Sequence, residues 1–312
     1  MKNIEIFGSR RLGVWFIFLS LFIGLFVVLL SGSLQITENR REGVSLEEFQ
    51  AHMAERIPAL MNRYRIPGCS IALVCDQEIV WTQGFGYADI ESGRTLTANT
   101  PMSVQSITKS VTAWGIMKLA EKGLIDLDTP LSSYLTSWQF SQPDDRWDQV
   151  TVRRLLSHTA GMPLGDFTAI YAPGEKMPSL RERLTQEAVL IREPGAGFSY
   201  SNTGYHLLEL VIEEVAGESF AEYMRAQVLL PLGMKTASFT LDSAMTPYPP
   251  TGYNLRGEAV PVYVYPEKAS GGLFATAGDI ACFAAAAMGE NPVLSAESRE
   301  MLYTPESSKL GV

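Results

Sequence analysis

Ser106-Ile107-Thr108-Lys109 sets a hydroxyl and an amine three residues apart. Positions three apart share a helix face, so the Lys109 amine reaches the Ser106 hydroxyl if this stretch is helical. Neutral serine is a poor nucleophile, and a lysine whose pKa is lowered by burial or by a neighbouring cation takes its proton as attack begins. Such a pair activates serine without histidine. Taken alone, S-x-x-K is also a common pattern on a solvated helix face, so its meaning depends on the rest of the chain. A second polar cluster, Tyr200-Ser201-Asn202, stands in a loop that leads into a helix, although alone it is also an ordinary turn.

The pattern around these residues predicts the elements that must hold them. Ser45-Leu46-Glu47-Glu48 is a capping box, followed by Phe49, Met53, Ile57, Leu60 and Tyr64 at helical spacing and stopped at Pro67-Gly68. Residues 69–75 and 79–87 are apolar, β-rich runs joined at Asp76-Gln77, the pattern of an antiparallel hairpin with its first strand central in a buried sheet. The Ser106 helix runs on through Val111, Ile116, Met117 and Ala120 to Gly123 and is buried. Prolines break the next seventy residues into short helical pieces, and two longer helices follow at 205–215 and 220–229. Strand-like segments fill 237–265, and helix returns at 277–288.

With 312 residues and 46% hydrophobic content, the chain has enough apolar material for one large core or two joined lobes. A formal net charge of -9 excludes a phosphate-binding basic surface, and with it nucleic acid as a partner. Cys69, Cys75 and Cys282 form no disulfide framework. His52, His158 and His206 are far apart and read as surface or capped-loop residues, so neither a metal nor a cofactor is expected. Lys2, Arg10 and Arg11 precede a nearly continuous apolar run from Leu12 to Leu30. That run predicts a single-pass membrane anchor within residues 1–35, with residues 36–312 outside the cytoplasm. Small residues at Ser31-Gly32-Ser33 leave a cleaved signal and a secreted chain as the alternative.

The SITK tetrapeptide and Tyr200-Ser201-Asn202 together resemble the serine β-lactamase and D-alanyl-D-alanine peptidase superfamily, in its class C-like branch that includes family VIII esterases. Leu155-Leu156-Ser157-His158-Thr159-Ala160-Gly161-Met162-Pro163, Pro231-Leu232-Gly233-Met234 and the segment from Gly271-Gly272 to Asp279 look like recurring segments of that branch, in order, across about residues 46 to 305. The resemblance implies an α/β (α+β) fold of the β-lactamase/transpeptidase kind. An antiparallel sheet would be flanked by helices, with an inserted helical lobe from about residue 124 to 230.

The resemblance also implies a serine hydrolase acting on an amide, ester or lactam, and a small-molecule or peptide-like substrate. Ser106 would be acylated, Lys109 would accept its proton, Tyr200 would relay a proton to the leaving group, and Asn202 would orient Lys109 and the substrate amide. The Ser106 main-chain N–H would supply half of an oxyanion hole. His158 reads as a turn residue that shapes the lobe. One departure stands out: relatives carry Lys or His, a small residue and Gly on a later strand, and Lys235-Thr236-Ala237 lacks the glycine. The expectation is therefore a chain lacking its C-terminal strands, and a non-catalytic exported binding module or inactive truncated homologue is the alternative. Oligomeric state is left open.

Overall fold

The computed structural model describes residues 44–241 and 247–306. The run from Leu12 to Leu30, and the membrane anchor expected from it, lies outside the described residues, among which no helix is long and apolar enough to cross a membrane.

Helix α1 (Leu46–Tyr64) opens on the expected capping box, in which the Ser45 hydroxyl accepts the Glu48 N–H and the Glu48 carboxylate accepts the Ser45 N–H. Strands β1 (Gly68–Cys75) and β2 (Glu78–Asp89) pair antiparallel, from Gly68 opposite Gly86 to Cys75 opposite Glu78. Asp76 and Gln77 both have positive φ, as a two-residue hairpin turn requires. Strand β3 (Arg94–Thr95) gives the order β1-β2-β3, so β1 stands at an edge among the described strands and not at the centre. All three cysteines are free.

Strand β4 (Met102–Ser103) leads into α2 (Ile107–Glu121), which buries Val111, Trp114, Ile116, Met117 and Leu119 around most of its circumference. Each such side chain contributes on the order of 1.5–3 kcal/mol when fully buried. Short helices α3 (Val152–Leu156) and α4 (Leu180–Glu187) follow, then α5 (Asn202–Ala216) and α6 (Phe220–Met224), the last continuing as one π-helical stretch over Arg225–Leu229. Helix α5 begins three residues earlier than expected, because the Ser201 hydroxyl accepts the Gly204 N–H at 2.8 Å and caps it. Leu131, Val152, Leu155 and Leu184, from the stretch read as an inserted lobe, join one hydrophobic cluster with α2 and α5. Gly115 on α2 lets α6 approach closely, since a Cβ there would lie 2.3 Å from the Met224 sulfur.

Strands β5 (Gly252–Tyr253) and β6 (Ala259–Val260) form a small antiparallel pair. Strand β7 (Phe274–Ala275) pairs with β4, Met102 facing Ala275 and Ser103 facing Phe274. Helices α7 (Ala277–Met288) and α8 (Ala296–Tyr303) follow, and α7 lies against β1 and β2, covering part of the apolar face of that hairpin. Just before β7, residues 267–273 form an irregular strap that runs between α2 and α5.

The turn in that strap explains Gly272. The Gly272 N–H donates to the Lys268 carbonyl at 2.8 Å, and a Cβ on Gly272 would fall 2.8 Å from the Lys268 Cα, whereas one on Gly271 would meet nothing nearer than 3.7 Å. Gly272→Ala is expected to lower unfolding stability by on the order of 1–3 kcal/mol, with Gly271→Ala near neutral. Paired chemical denaturation curves check this, and equal effects at the two positions would contradict it.

Candidate active site

Between β4 and α2, Gln105 adopts a φ of 48°, left-handed for a residue with a Cβ. Its side chain holds that conformation: Nε2 donates to Ser103 Oγ at 2.7 Å and to the Tyr263 hydroxyl at 3.4 Å, and Oε1 accepts from the Tyr265 hydroxyl at 3.1 Å. The turn delivers Ser106 to the N-terminal end of α2, where the first N–H groups have no partner inside the helix. Ser106 is exposed, its hydroxyl makes no capping bond, and no described residue accepts its main-chain N–H.

One turn further on, Lys109 is only 5% exposed. Its Nζ lies 3.4 Å from Ser106 Oγ, 2.8 Å from Asn202 Oδ1 and 2.7 Å from the Ser270 carbonyl oxygen. The rings of Tyr200 and Tyr205 flank it, with centroids 4.9 and 5.4 Å away. Burial pushes the amine from an ordinary 10.5 down to about 7. The Tyr200 hydroxyl donates to Ser106 Oγ at 2.9 Å, and burial raises the pKa of this phenol although the bond to Ser106 opposes the rise. Ser106, Lys109, Tyr200 and Asn202, drawn from two distant parts of the sequence, therefore meet around one hydroxyl.

Two constraints bring Tyr200 and Asn202 there. Ser201 Oγ donates to the Pro163 carbonyl at 2.6 Å while capping α5, and the Asn202 N–H donates to the Leu164 carbonyl at 3.0 Å. His158, with a φ of 58°, supplies the other: its carbonyl accepts the Ser199 N–H and its Nδ1 accepts the Ser201 N–H at 3.1 Å. The His158 ring lies 4.5 Å from that of Tyr200, and burial, aided by the Lys109 charge, lowers its pKa to about 4. A neutral imidazole with an accepting Nδ1 positions the tyrosine loop and makes no bond to Ser106.

The Lys109 acceptor on the strap is equally fixed. Glu209 Oε2 accepts the Lys268 and Ala269 N–H groups at 2.6 and 2.8 Å, Thr112 Oγ1 donates to the Ala269 carbonyl at 2.9 Å, and Thr108 Oγ1 accepts the Leu273 N–H at 3.3 Å. Ser270 Oγ lies 3.0 Å from His206 Nε2. The sequence reading missed these residues and took His206 for a surface or loop histidine, whereas it is buried on α5. A signal existed: Asn202, His206 and Glu209 fall at i, i+4 and i+7, a polar stripe along a helix that is otherwise apolar from Tyr205 to Ile212. Lys235-Thr236-Ala237 stands elsewhere, with the Thr236 N–H donating to Asp279 near the start of α7.

Comparison with known proteins gives the same frame. Residues 53–309 match the family model described as Beta-lactamase. Protein flp of Staphylococcus aureus (strain MW2) is 30% identical over 209 residues, which make up 66% of this chain and 41% of that protein. Among solved structures, the octameric penicillin-binding protein homologue from Pyrococcus abyssi has a TM-score of 0.71 at 31% identity, covering 82% of this chain and 60% of that one. The D-alanine carboxypeptidase AmpC from Burkholderia cenocepacia has a TM-score of 0.67 at 22% identity over 83% of this chain and 69% of that one, a likeness of fold. The chain spans about two fifths of the length of the flp proteins it matches.

Burying an amine has a stability consequence of definite sign. Below pH about 7 the folded chain carries a buried ammonium and bears the full penalty; between about 7 and 10.5 the unfolded chain binds the extra proton, so this group makes stability rise with pH across that window. Lys109→Met is therefore expected to raise stability at pH 6 more than at pH 10, by a difference on the order of a few kcal/mol. Thermal unfolding of both chains at the two pH values checks it. A gain independent of pH would show that Lys109 titrates alike in the folded and unfolded states.

Proposed function

The chain belongs to the beta-lactamase family, and from that premise we propose that it is a serine hydrolase that forms an acyl-enzyme at Ser106 with an amide, ester or lactam. The observation that carries this reading is the Ser106 hydroxyl itself, exposed to solvent and set between a buried amine at 3.4 Å and a phenol at 2.9 Å. A neutral amine has two N–H bonds and one lone pair. With Asn202 Oδ1 and the Ser270 carbonyl taking the two N–H bonds, the lone pair is left for the Ser106 proton.

In the proposed cycle Ser106 Oγ attacks the substrate carbonyl carbon and its proton passes to Lys109 Nζ. The carbonyl oxygen takes the negative charge against the free Ser106 N–H. Collapse breaks the bond to the leaving group, which receives a proton through the Tyr200 phenol as Lys109 returns to its neutral form. Water then attacks the Ser106 ester, delivers its proton along the same relay, and releases the acid and a free hydroxyl. Asn202 holds Lys109 throughout. Peptide-like substrates suit this reading, since one structural neighbour is a D-alanine carboxypeptidase and another a penicillin-binding protein homologue. The Leu12 to Leu30 run supports placing this domain outside the cytoplasm, tethered to the membrane.

A serine-directed fluorophosphonate and a penicillin probe, applied to the full chain in detergent, test the assignment. Each is expected to add one adduct at Ser106, Ser106→Ala to remove it, and the labelling rate of the wild-type chain to rise as pH passes through about 7, where Lys109 loses its proton. Persistent labelling of Ser106→Ala would overturn the assignment. Labelling without turnover of any ester, amide or lactam would favour the binding-module reading. Tyr200→Phe, which keeps the ring, is expected to slow labelling by about 10²–10⁴-fold, the usual worth of a positioned proton relay.

A further inference from the structure

Beneath the strap lies a second polar cluster that the proposed cycle does not use. His206 is 4% exposed, and its Nδ1 lies 3.9 Å from Glu187 Oε2 and 4.0 Å from Glu267 Oε1 without a hydrogen-bond partner. Arg183, buried on α4, donates through Nε to Glu267 Oε1 at 2.6 Å, pairs with Glu187, and donates to the Asp166 carbonyl at 3.0 Å. Three side chains with metal-ligand atoms thus lie within 4.8 Å of one another, but the guanidinium already supplies the cation their carboxylates need. The cluster has a different outlet. His206 Nε2 meets Ser270 Oγ at 3.0 Å, and the carbonyl of the same Ser270 is the 2.7 Å acceptor of Lys109 Nζ.

We infer that His206, whose Nδ1 faces Glu187 and Glu267, is a positioning residue that acts through the Ser270 hydroxyl to hold the strap carbonyl against Lys109 and so keeps that amine dehydrated and uncharged. A bare Nδ1 lone pair would face the Glu187 and Glu267 carboxylates at 3.9 and 4.0 Å, so the imidazole proton rests on Nδ1, and Nε2 accepts from the Ser270 O–H. Burial, with the charges of Lys109 and Arg183, lowers the His206 pKa to about 3, so the ring stays neutral and adds no positive charge beside Lys109. The groups facing His206 are Arg183 and Glu187 from α4, Glu267 and Ser270 from the strap, and Lys109 from α2. Those facing Lys109 are Ser106, Tyr200, Asn202, Tyr205, Ser270, His158 and His206. If Ser270 lost its anchor, its carbonyl would leave Nζ and water would enter; because desolvation is what lowers the Lys109 pKa, the hydration gained outweighs the acceptor lost and the pKa would rise.

This inference deepens the acyl-enzyme reading but is tested without it, by following the titration of Lys109 directly. The full chain in detergent, carrying lysine labelled with carbon-13 at Cε, is titrated by heteronuclear NMR, with Lys109→Arg identifying the signal. The wild-type midpoint is expected near 7. Ser270→Ala, which keeps the main-chain carbonyl and removes only the hydroxyl, and His206→Phe are each expected to raise it by about one pH unit. The double variant should move it no further than either single one, because both break the same link. His206→Gln, which keeps a polar group facing Ser270, should leave the midpoint close to the wild-type value. An unmoved midpoint in Ser270→Ala, or additive shifts in the double variant, would overturn the proposal. Loss of Ser106 labelling by the wild-type chain would instead sink the hydrolase reading and leave this titration standing.

Discussion

The elements that meet at this site, α2, the start of α5 and the strap, share one constraint, the burial of the Lys109 amine. An ammonium taken out of water without compensation is among the most expensive groups a fold can enclose, and the usual outcome is that it gives up its proton. A neutral amine still needs acceptors for its N–H bonds, and here they come from two elements remote in sequence, Asn202 at the start of α5 and Ser270 on the strap before β7. Neither acceptor is charged. A carboxylate in either place would have stabilised the ammonium and worked against the neutral base of the proposed cycle, whereas an amide oxygen and a peptide carbonyl favour the ammonium far less.

The hydrophobic core provides the low-polarity setting, and a few polar ties register it. Helices α2 and α5 bury nearly all their apolar residues, so their separation is set by side-chain packing. Between them passes an irregular segment with its own main-chain polar groups, and each needs a partner at that depth. Thr108 and Thr112 from α2 and Glu209 from α5 provide them. Glu209 shows the strain in the arrangement: burial raises its pKa to about 7 even though two N–H groups donate to it. The strap is thus fixed by satisfied backbone groups, and the geometry around Lys109 inherits that rigidity.

How far the sequence disclosed this follows from the range of each signal. Local signals were legible: the capping box at Ser45, the Asp76-Gln77 turn and the helix from Ala277 to Met288 lie where the pattern put them. The Ser106–Lys109 spacing is local too, and Tyr200 and Asn202 were found as a second cluster, carried by resemblance. Less visible was whatever depends on contacts between distant residues. Strands β4 and β7 are two residues each and present no periodicity, yet they set the entry to α2. Strand β1, apolar enough to read as central, pairs on one side only among the described strands and is partly covered by α7. Helix α5 was begun too late because Ser201 was read as part of a loop and not as its cap. His206 went unrecognised because a histidine shows its use only through its neighbours, and those lie far along the chain, at Glu187, Glu267 and Ser270.

Counting protons at Nζ explains why the proposed cycle has no need of histidine as its base. As an ammonium, Lys109 has three N–H bonds for three surrounding oxygens and blocks the Ser106 lone pair with a donated proton. As an amine it keeps the two shorter bonds, at 2.7 and 2.8 Å, and turns a lone pair toward the hydroxyl at 3.4 Å. One arrangement of heavy atoms suits both states, which differ by a proton, so in the proposed cycle the site is organised before substrate arrives. His158 is close enough to feel the Lys109 charge, and that charge, with burial, keeps it neutral and confined to holding the Tyr200 loop. Tyr200, its phenol also kept protonated by burial, faces the same Ser106 oxygen as a donor. One oxygen therefore stands between a group able to take a proton and a group able to give one, which is the polarity that breaking an acyl bond requires.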